Sequence, residues 1–430
     1  MNNKIKLAVA GAVMSAASAA NAGIIIPAGD WTIDINGNVN AYATWIDADK
    51  TKGTAPTGGL AVTRDASGES DTQTLNTGLL PAWLGFTGTT RQNDLDVSFT
   101  ISFQPNVSDN GVTGDGKTPL NRQAFVTFGD KSWGTVKLGK DLGVFASQAI
   151  LNDMTLLGVG AALGGVSGTS TTLGGIGTGY IYPAWKGQIA YTTPNMNGFS
   201  ATIAITNPNQ GGFGAASTVT QTQAAGDSEV AINATTGLEL YQDRFGIEGQ
   251  VMYEWTGDVA GKVWASGATY DVTVGTNTGA TLSDDSFTAS VYDIGANINV
   301  GNLGVTAYWY DGEGVGSTMM GGLFGATGYD VQSGSAKKRD SDGGYLQATY
   351  VIPTGTKLGV AYGVSNLDEA SGETAATLME SNERWTVGAY HPLTKHLNLV
   401  AEYNSIESEG QSSANQTESD SLSLGAILFF

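Results

Sequence analysis

Ser421-Leu422-Ser423-Leu424-Gly425-Ala426-Ile427-Leu428-Phe429-Phe430 closes a chain of 430 residues. Counted back from Phe430, every second residue is apolar: Leu428, Ala426, Leu424 and Leu422. Ser421, Ser423 and Gly425 between them are polar or small. A period of two puts the first set on one face of a strand and the second set on the other. In an open sheet, a terminal strand of this kind leaves one row of backbone donors and acceptors bare. In a closed barrel the last strand pairs with the first, and no edge remains.

Met1 to Ala22 carries Lys4 and Lys6, then an apolar stretch from Leu7, then Ala20-Asn21-Ala22. That is the layout of a secretory signal cleaved after Ala22. The expected organisation is therefore a signal peptide over 1–22 and one barrel domain over 23–430. No later run approaches the roughly 18 apolar residues that a membrane helix needs. The chain has no cysteine, which excludes disulfide frameworks and thiolate metal sites. Charged residues make up 14%, well under the roughly 25% of soluble domains. The 61 glycines suit a wall with tight turns and kinks. The formal charge is −20 from 20 basic and 40 acidic residues, and loss of Lys4 and Lys6 leaves 18 basic. This balance argues against a nucleic-acid partner, which needs a basic footprint. It fits a cation-attracting surface or pore mouth.

The alternation recurs throughout. Trp31, Ile33, Ile35, Val39, Ala41 and Trp45 share one parity, against Thr32, Asp34, Asn36, Asn38 and Asn40. Leu95, Val97, Phe99, Ile101 and Phe103 alternate with Asp96, Ser98, Thr100 and Ser102. Phe245, Ile247, Val251, Tyr253 and Trp255 alternate with Arg244, Glu248, Gln250 and Glu254, and Leu358, Val360, Tyr362 and Val364 follow the same rule. The strands run about 9–14 residues, the tilted span of a bilayer. Globular strands average about half of that.

Connections alternate short and long. Short turns are expected near Arg91–Asn93, Asp130–Lys131, Pro194–Asn197, Gln242–Asp243, Val300–Asn302, Pro353–Gly355 and Pro392–Lys395. Long loops are expected near Asp47–Gly78, Pro105–Lys117, Asp141–Tyr182, Asn207–Ser228, Gly257–Asp285, Gly312–Ser341, Asn366–Ser381 and Ser408–Thr417. They divide the chain into sixteen strands with both termini on the short-turn side, as in bacterial outer-membrane barrels. The expected fold is an all-β, 16-stranded antiparallel transmembrane β-barrel with short periplasmic turns and long extracellular loops. Lys262–Thr276 leaves room for an extra hairpin and eighteen strands, and the parity shift near Tyr292-Asp293 suggests a bulge. Trp31, Trp45, Trp133, Trp185, Trp255, Trp309, Trp385 and Phe430 lie near strand ends and are expected to form interfacial girdles.

Four stretches resemble the general trimeric porins of Gram-negative outer membranes. They are Ala82-Trp83-Leu84-Gly85-Phe86-Thr87-Gly88, Arg122-Gln123-Ala124-Phe125-Val126, Trp133 to Lys140, and Ile189 to Phe199. The resemblance implies a third loop, Asp141–Gly175, folded into the pore with helical character over Ala146–Leu157. It also implies acids on that loop facing a basic wall, whose crossed field sorts ions and orients dipolar solutes. Asp153 matches the first loop acid, Arg122 a basic wall position, and Lys186 falls near another. Leu157 stands where the second acid belongs, Trp83 where an arginine is usual, and Asn38 where a lysine often sits. The resemblance thus implies a constriction of Asp153, Arg122, Lys186, Trp83, Leu157 and Asn38 with unusually little charge.

The polar parity offers Asp34, Asp96, Arg122, Lys137, Lys186, Glu248, Glu254, Arg384 and Glu402 as pore lining. The resemblance further implies a homotrimer, contact with lipopolysaccharide and outer-membrane lipid, and an assembly signal of Phe430, Leu428, Leu424 and Leu422 read by the barrel-insertion machinery. It makes the chain a channel for small hydrophilic solutes, mildly cation-preferring. Alternatives are a substrate-specific channel with a low-charge constriction, or an adhesin or receptor using the long loops. His391 and His396 flank one turn with no Ser, Asp or cysteine partner in view, so catalysis, a metal and a cofactor are all unexpected. Asp340-Ser341-Asp342-Gly343 lacks the rest of a calcium loop, and Lys337-Lys338-Arg339 reads as exposed loop charge.

Overall fold

The structure, a computed structural model, describes residues 23–64, 68–107, 120–162, 171–207, 238–241, 244–277, 282–320, 325–332 and 335–430. The expected signal peptide lies outside the described residues. Sixteen strands form the wall of a closed antiparallel barrel. They are β1 Trp31–Lys52, β2 Trp83–Gln92, β3 Leu95–Gln104, β4 Leu120–Asp130, β5 Gly134–Leu142, β6 Trp185–Thr192, β7 Phe199–Thr206 and β8 Gly246–Trp255. The circuit continues with β9 Val259–Asn277, β10 Leu282–Val300, β11 Leu303–Glu313, β12 Asp340–Val351, β13 Lys357–Leu367, β14 Met379–Pro392, β15 Leu397–Gly410 and β16 Gln416–Phe429.

The closing strand behaves as its parity requires. β16 pairs with β1 from Asn38↔Phe429 to Lys52↔Gln416. Leu422, Leu424 and Leu428 point outward and are exposed, while Ile427 and Phe429 are buried inside. The Gly37 N–H donates to the Phe430 carbonyl at 2.8 Å, and the Phe430 N–H donates back at 3.0 Å. A Cβ on Gly37 would lie 2.7 Å from Phe430 Cζ, so the terminal ring needs a glycine opposite it. Below that point the edge of β1 is taken by Ile24–Ala28, with Ile24 opposite Ile35.

The short-turn side also follows local rules. Asn93 and Asp94 both have positive φ (49° and 63°), the backbone of a tight hairpin turn that matches strand twist. One expected turn is misplaced. Gln242–Asp243 lies outside the described residues, but the segments on either side both pair antiparallel with β9: Leu238–Tyr241 near Gly275, and β8 below it. They therefore run as one line down the wall, with no reversal between them. The real turn follows Trp255, and the supposed long loop Gly257–Asp285 is mostly β9, paired from Val259↔Val300 to Asn277↔Leu282. One strand was counted upstream and one missed downstream, so the total of sixteen survives.

The physical reason is a reversal of polarity. In upper β9 and β10 the buried, inward residues are Tyr270, Val272, Ala289 and Val291. The outward ones include Asp271 and Thr288, bonded to each other at 2.6 Å. Above the bilayer the outside meets water and the inside meets packed loops, so the apolar parity switches without any change of pairing. The bulge expected at Tyr292-Asp293 is therefore not formed: the ladders to β9 and β11 pass through both residues in register.

The same overshoot moves the girdle. Trp45, Trp309 and Trp385 are exposed on the outer face but sit within strands, because those strands continue past the interface. Trp185 is buried and does not join it. The hydrophobic core lies inside the barrel, where Leu60, Leu79, Phe145, Ile150, Tyr180, Val315 and Met320 from infolded segments meet Tyr308, Tyr310 and Tyr345 of the wall. Asp340 to Gly343 opens β12. Arg339 is buried, forked to Glu373 with Nε to Oε2 at 2.9 Å and Nη2 to Oε1 at 2.5 Å. Lys338 pairs with Glu313 at 2.6 Å. The basic run is thus largely neutralised, not displayed. His391 Nδ1 meets Thr356 Oγ1 at 3.0 Å.

Candidate functional site

The third long loop leaves β5 at Leu142 and turns into the lumen. Its helical part is a short helix, α1 Ser147–Asn152, and a 3-10 turn over Met154–Leu157, within the expected stretch. Asp153 caps the 3-10 turn by accepting the Thr155 N–H at 2.9 Å. Its other oxygen accepts from the Gly175 N–H and the Tyr180 hydroxyl, both at 2.9 Å. The expected loop acid is thus 5% exposed and satisfied mostly by its own loop. Arg384 stands beside it: a Cβ on Gly175 would lie 2.9 Å from both Arg384 Nη2 and Asp153 Oδ2. Arg384 Nε also donates to Thr178 at 3.0 Å.

Two wall glutamates clamp the loop at either end of this segment. Glu248 accepts the N–H groups of Val144 (2.7 Å) and Phe145 (2.9 Å). It also accepts Lys186 Nζ at 2.6 Å and the Thr206 hydroxyl at 3.2 Å. Glu402 accepts the N–H groups of Val159 (2.9 Å) and Gly160 (2.8 Å), and the Tyr390 hydroxyl at 2.6 Å. Charge-assisted bonds of this kind are the strong ones. A Cβ on Gly158 would lie 1.9 Å from Glu402 Oε1, so the glycine in place of a larger residue lets the clamp close. Glu248, Glu402, Arg384 and Lys186 were expected to face water. All are at most 2% exposed and hold the loop instead, because the loop's unpaired N–H groups require buried acceptors.

The middle of the loop is locked by neutral groups. Gln347 Oε1 accepts the Met154 N–H at 2.8 Å, and the Tyr345 hydroxyl donates to the Ala149 carbonyl at 2.8 Å. Tyr345 packs against Tyr180 and Tyr308 at centroid distances of 5.8 and 5.6 Å. These tyrosines escaped the sequence reading, although Tyr308-Trp309-Tyr310 puts aromatics on both parities, a signal that the inner face there is packed.

Trp83 and Asn38 come together, but in a packed seam. They are register partners between β1 and β2. Asn38 Nδ2 donates to the Pro81 carbonyl (2.8 Å), and Asn40 Nδ2 to that of Leu80 (2.9 Å). Trp83 Nε1 donates to Asn36 Oδ1 at 3.3 Å, and its ring meets Phe429 edge-on at 6.3 Å. The asparagine ladder thus binds the infolded stretch before Trp83. Leu157 is half-buried, and its carbonyl accepts the Tyr42 hydroxyl at 2.7 Å. Loop one also folds inward: the Leu60 and Ala61 N–H groups donate to Ser408 Oγ at 2.9 and 3.0 Å.

Half-buried polar side chains of the inner face lie along β2–β8, among buried ones. Arg122 occupies a bulge, where the pairing steps from Ser102↔Gln123 to Phe103↔Asn121, and its Nη1 donates to the Tyr182 hydroxyl at 3.3 Å. Lys137 is ion-paired with Asp141, which also accepts Gln123 Nε2 at 3.0 Å. Near the turns Arg91 spans Asp96 (2.7 Å) and Asp130 (3.0 Å). Asp34 is half-buried low in the lumen. Glu254 is exposed at the turn end, opposite Lys262 in register. Lys262 donates to Gln148 Oε1 at 2.9 Å, and Lys357 lies 4.8 Å from the Tyr390 ring centre.

Comparison with known proteins agrees with this architecture. The family model described as Gram-negative porin matches residues 7–411. Among solved structures, the outer membrane channel DcaP of Acinetobacter baumannii superposes with a TM-score of 0.64 at 16% identity, over 94% of this chain and 99% of that one. OmpF of Salmonella typhi, solved with daunomycin, gives 0.57 at 15% identity over 95% and 100%. OmpT of Vibrio cholerae gives 0.54 at 14% over 95% and 100%. No curated protein matches the chain.

Proposed function

This chain belongs to the Gram-negative porin family, and on that premise we propose that it is a water-filled outer-membrane channel for passive diffusion of small hydrophilic solutes and ions. The observation that carries the proposal is the third loop, clamped across the lumen by Glu248 and Glu402. On this reading the loop narrows the barrel on one side, and the polar inner face of β2–β8 lines the path that remains.

A weak cation preference accompanies this. Above the membrane the outer wall sets like charges opposite each other, as in Asp311↔Asp342 and Glu383↔Glu407. Such pairs are unfavourable without counter-ions, so cations gather at the rim. Screening over about 8 Å at physiological salt keeps the effect small at depth. A second reading, a low-charge constriction, is supported by the pairing of Lys186 with Glu248 and Lys137 with Asp141. Planar-bilayer conductance under a salt gradient tests both: we expect a small reversal potential on the cation side, and strong anion selectivity would sink them.

We also propose cleavage of 1–22 on export, a homotrimer in contact with lipopolysaccharide, and recognition of Phe430, Leu428, Leu424 and Leu422 by the insertion machinery. A monomer on sizing in mild detergent would remove the trimer.

A further inference from the structure

The geometry points to neutral polyhydroxylated solutes, sugars or polyols, as the class this lumen passes best, an inference that rests on the channel reading above. Two observations carry it together. The first is that most cationic side chains at the loop-three level face a built partner, Arg122 meeting the neutral Tyr182 hydroxyl. Lys186 has Glu248, Lys137 has Asp141, and Arg384 donates to the Thr178 hydroxyl. Lys262 donates to Gln148, and Lys357 lies over Tyr390, whose hydroxyl donates to Glu402. A permeating ion therefore meets groups already committed to each other, and sheds hydration water without gaining a fixed counter-charge.

The second observation is the hydroxyl and amide groups that the β2–β8 wall offers. Thr87, Thr89, Thr135, Thr192, Thr202 and Gln250 are half-buried on the inner face of β2–β8. Several of these hydroxyls meet another across a strand pair, Thr87 with Thr100 at 3.1 Å and Thr192 with Thr202 at 2.9 Å, with either oxygen able to donate. A threonine hydroxyl donates once and accepts twice. A row of such groups replaces, bond for bond, the water around a solute whose own hydroxyls do both. A carboxylate has no proton to give, and an ammonium has no lone pair to accept with. Between the Lys137–Asp141 pair and Arg122, these hydroxyls match those of a solute and add nothing for net charge.

The test uses three solutes of nearly one size and different charge: sorbitol, gluconate and glucosamine. Flux of each is measured into proteoliposomes carrying the full-length protein, with the membrane potential held at zero. We expect sorbitol to enter about fivefold faster than either ion, the worth of one ordinary hydrogen bond. Equal or faster entry of gluconate or glucosamine overturns the inference while leaving a working channel. No flux of any of the three, with no ionic conductance, instead removes the channel reading. The variant Thr87→Val/Thr192→Val/Thr202→Val keeps side-chain shape, and its folding is checked by heat-dependent gel mobility. In it the sorbitol advantage is expected to vanish while ionic conductance stays. An unchanged advantage in the folded variant also overturns the assignment.

Discussion

Individual carboxylates decide how the lumen is shaped. Glu402 satisfies two adjacent loop N–H groups and a tyrosine hydroxyl. Glu402→Gln keeps one acceptor oxygen and removes the charge, so the loop exit near Gly160 is expected to loosen and open-channel current noise to rise; single-channel traces indistinguishable from the parent would refute this. The Lys186–Glu248 pair behaves differently because two buried charges face each other there. Lys186→Met alone leaves an uncompensated carboxylate inside the wall, expected to cost about 3–5 kcal/mol. Lys186→Met/Glu248→Gln removes both charges and is expected to recover much of that, as read from the temperature at which the folded band is lost on gels. Both glutamates were visible in the sequence as polar-parity residues. Their partners were not, since the N–H groups they accept lie about 100 or more positions away in the chain.

Elements carry the second lesson, and β9 shows it best. Its lower half has Val263 exposed on the outer face, while its upper half buries Tyr270 and Val272 inside. Read as one alternating strand, the sequence contradicts itself, and it passes for loop. With no native cysteine, Val263→Cys is a clean probe. It is expected to resist a water-soluble maleimide in bilayers and to be quenched by a lipid-borne quencher; rapid aqueous labelling would return the stretch to an extracellular loop. The loops have internal order of their own. Burial pushes the Glu373 carboxyl up, but the Arg339 fork and the Ala370 N–H pull it further down, so its pKa lies below the ordinary 4.5. A depressed carboxyl contributes its full stability above the unfolded pKa and loses it as pH falls through the folded one. The clasp between the sixth and seventh long loops should therefore hold at neutral pH and release in acid below the ordinary carboxylate range. Hydrogen exchange over residues 366–378 should rise there in the parent protein and be high at every pH in Arg339→Met.

At the scale of the molecule, the barrel is an insulated cylinder whose contents are set by its own loops. Its outer face obeys one rule, apolar against lipid, and that rule is local: it acts on each residue through its parity alone. For this reason the closed sheet and the outward set of Leu422, Leu424 and Leu428 were legible in the sequence by itself, while the strand number came out right because two misassignments cancelled. The misassigned turn at Gln242–Asp243 was the exception, and it arose where the strand left the bilayer and the rule ceased to hold. The interior obeys no such rule, because what an inward side chain meets depends on which distant loop folds over it. Asp153, Trp83 and Asn38 were singled out in the sequence as constriction residues, yet only the tertiary structure decided that Asp153 turns back on Tyr180 and Gly175, that Trp83 lies against Phe429, and that Asn38 holds the Pro81 carbonyl. Lipid imposes the wall from outside one residue at a time, whereas the lumen is built by long-range partners that alternation does not encode.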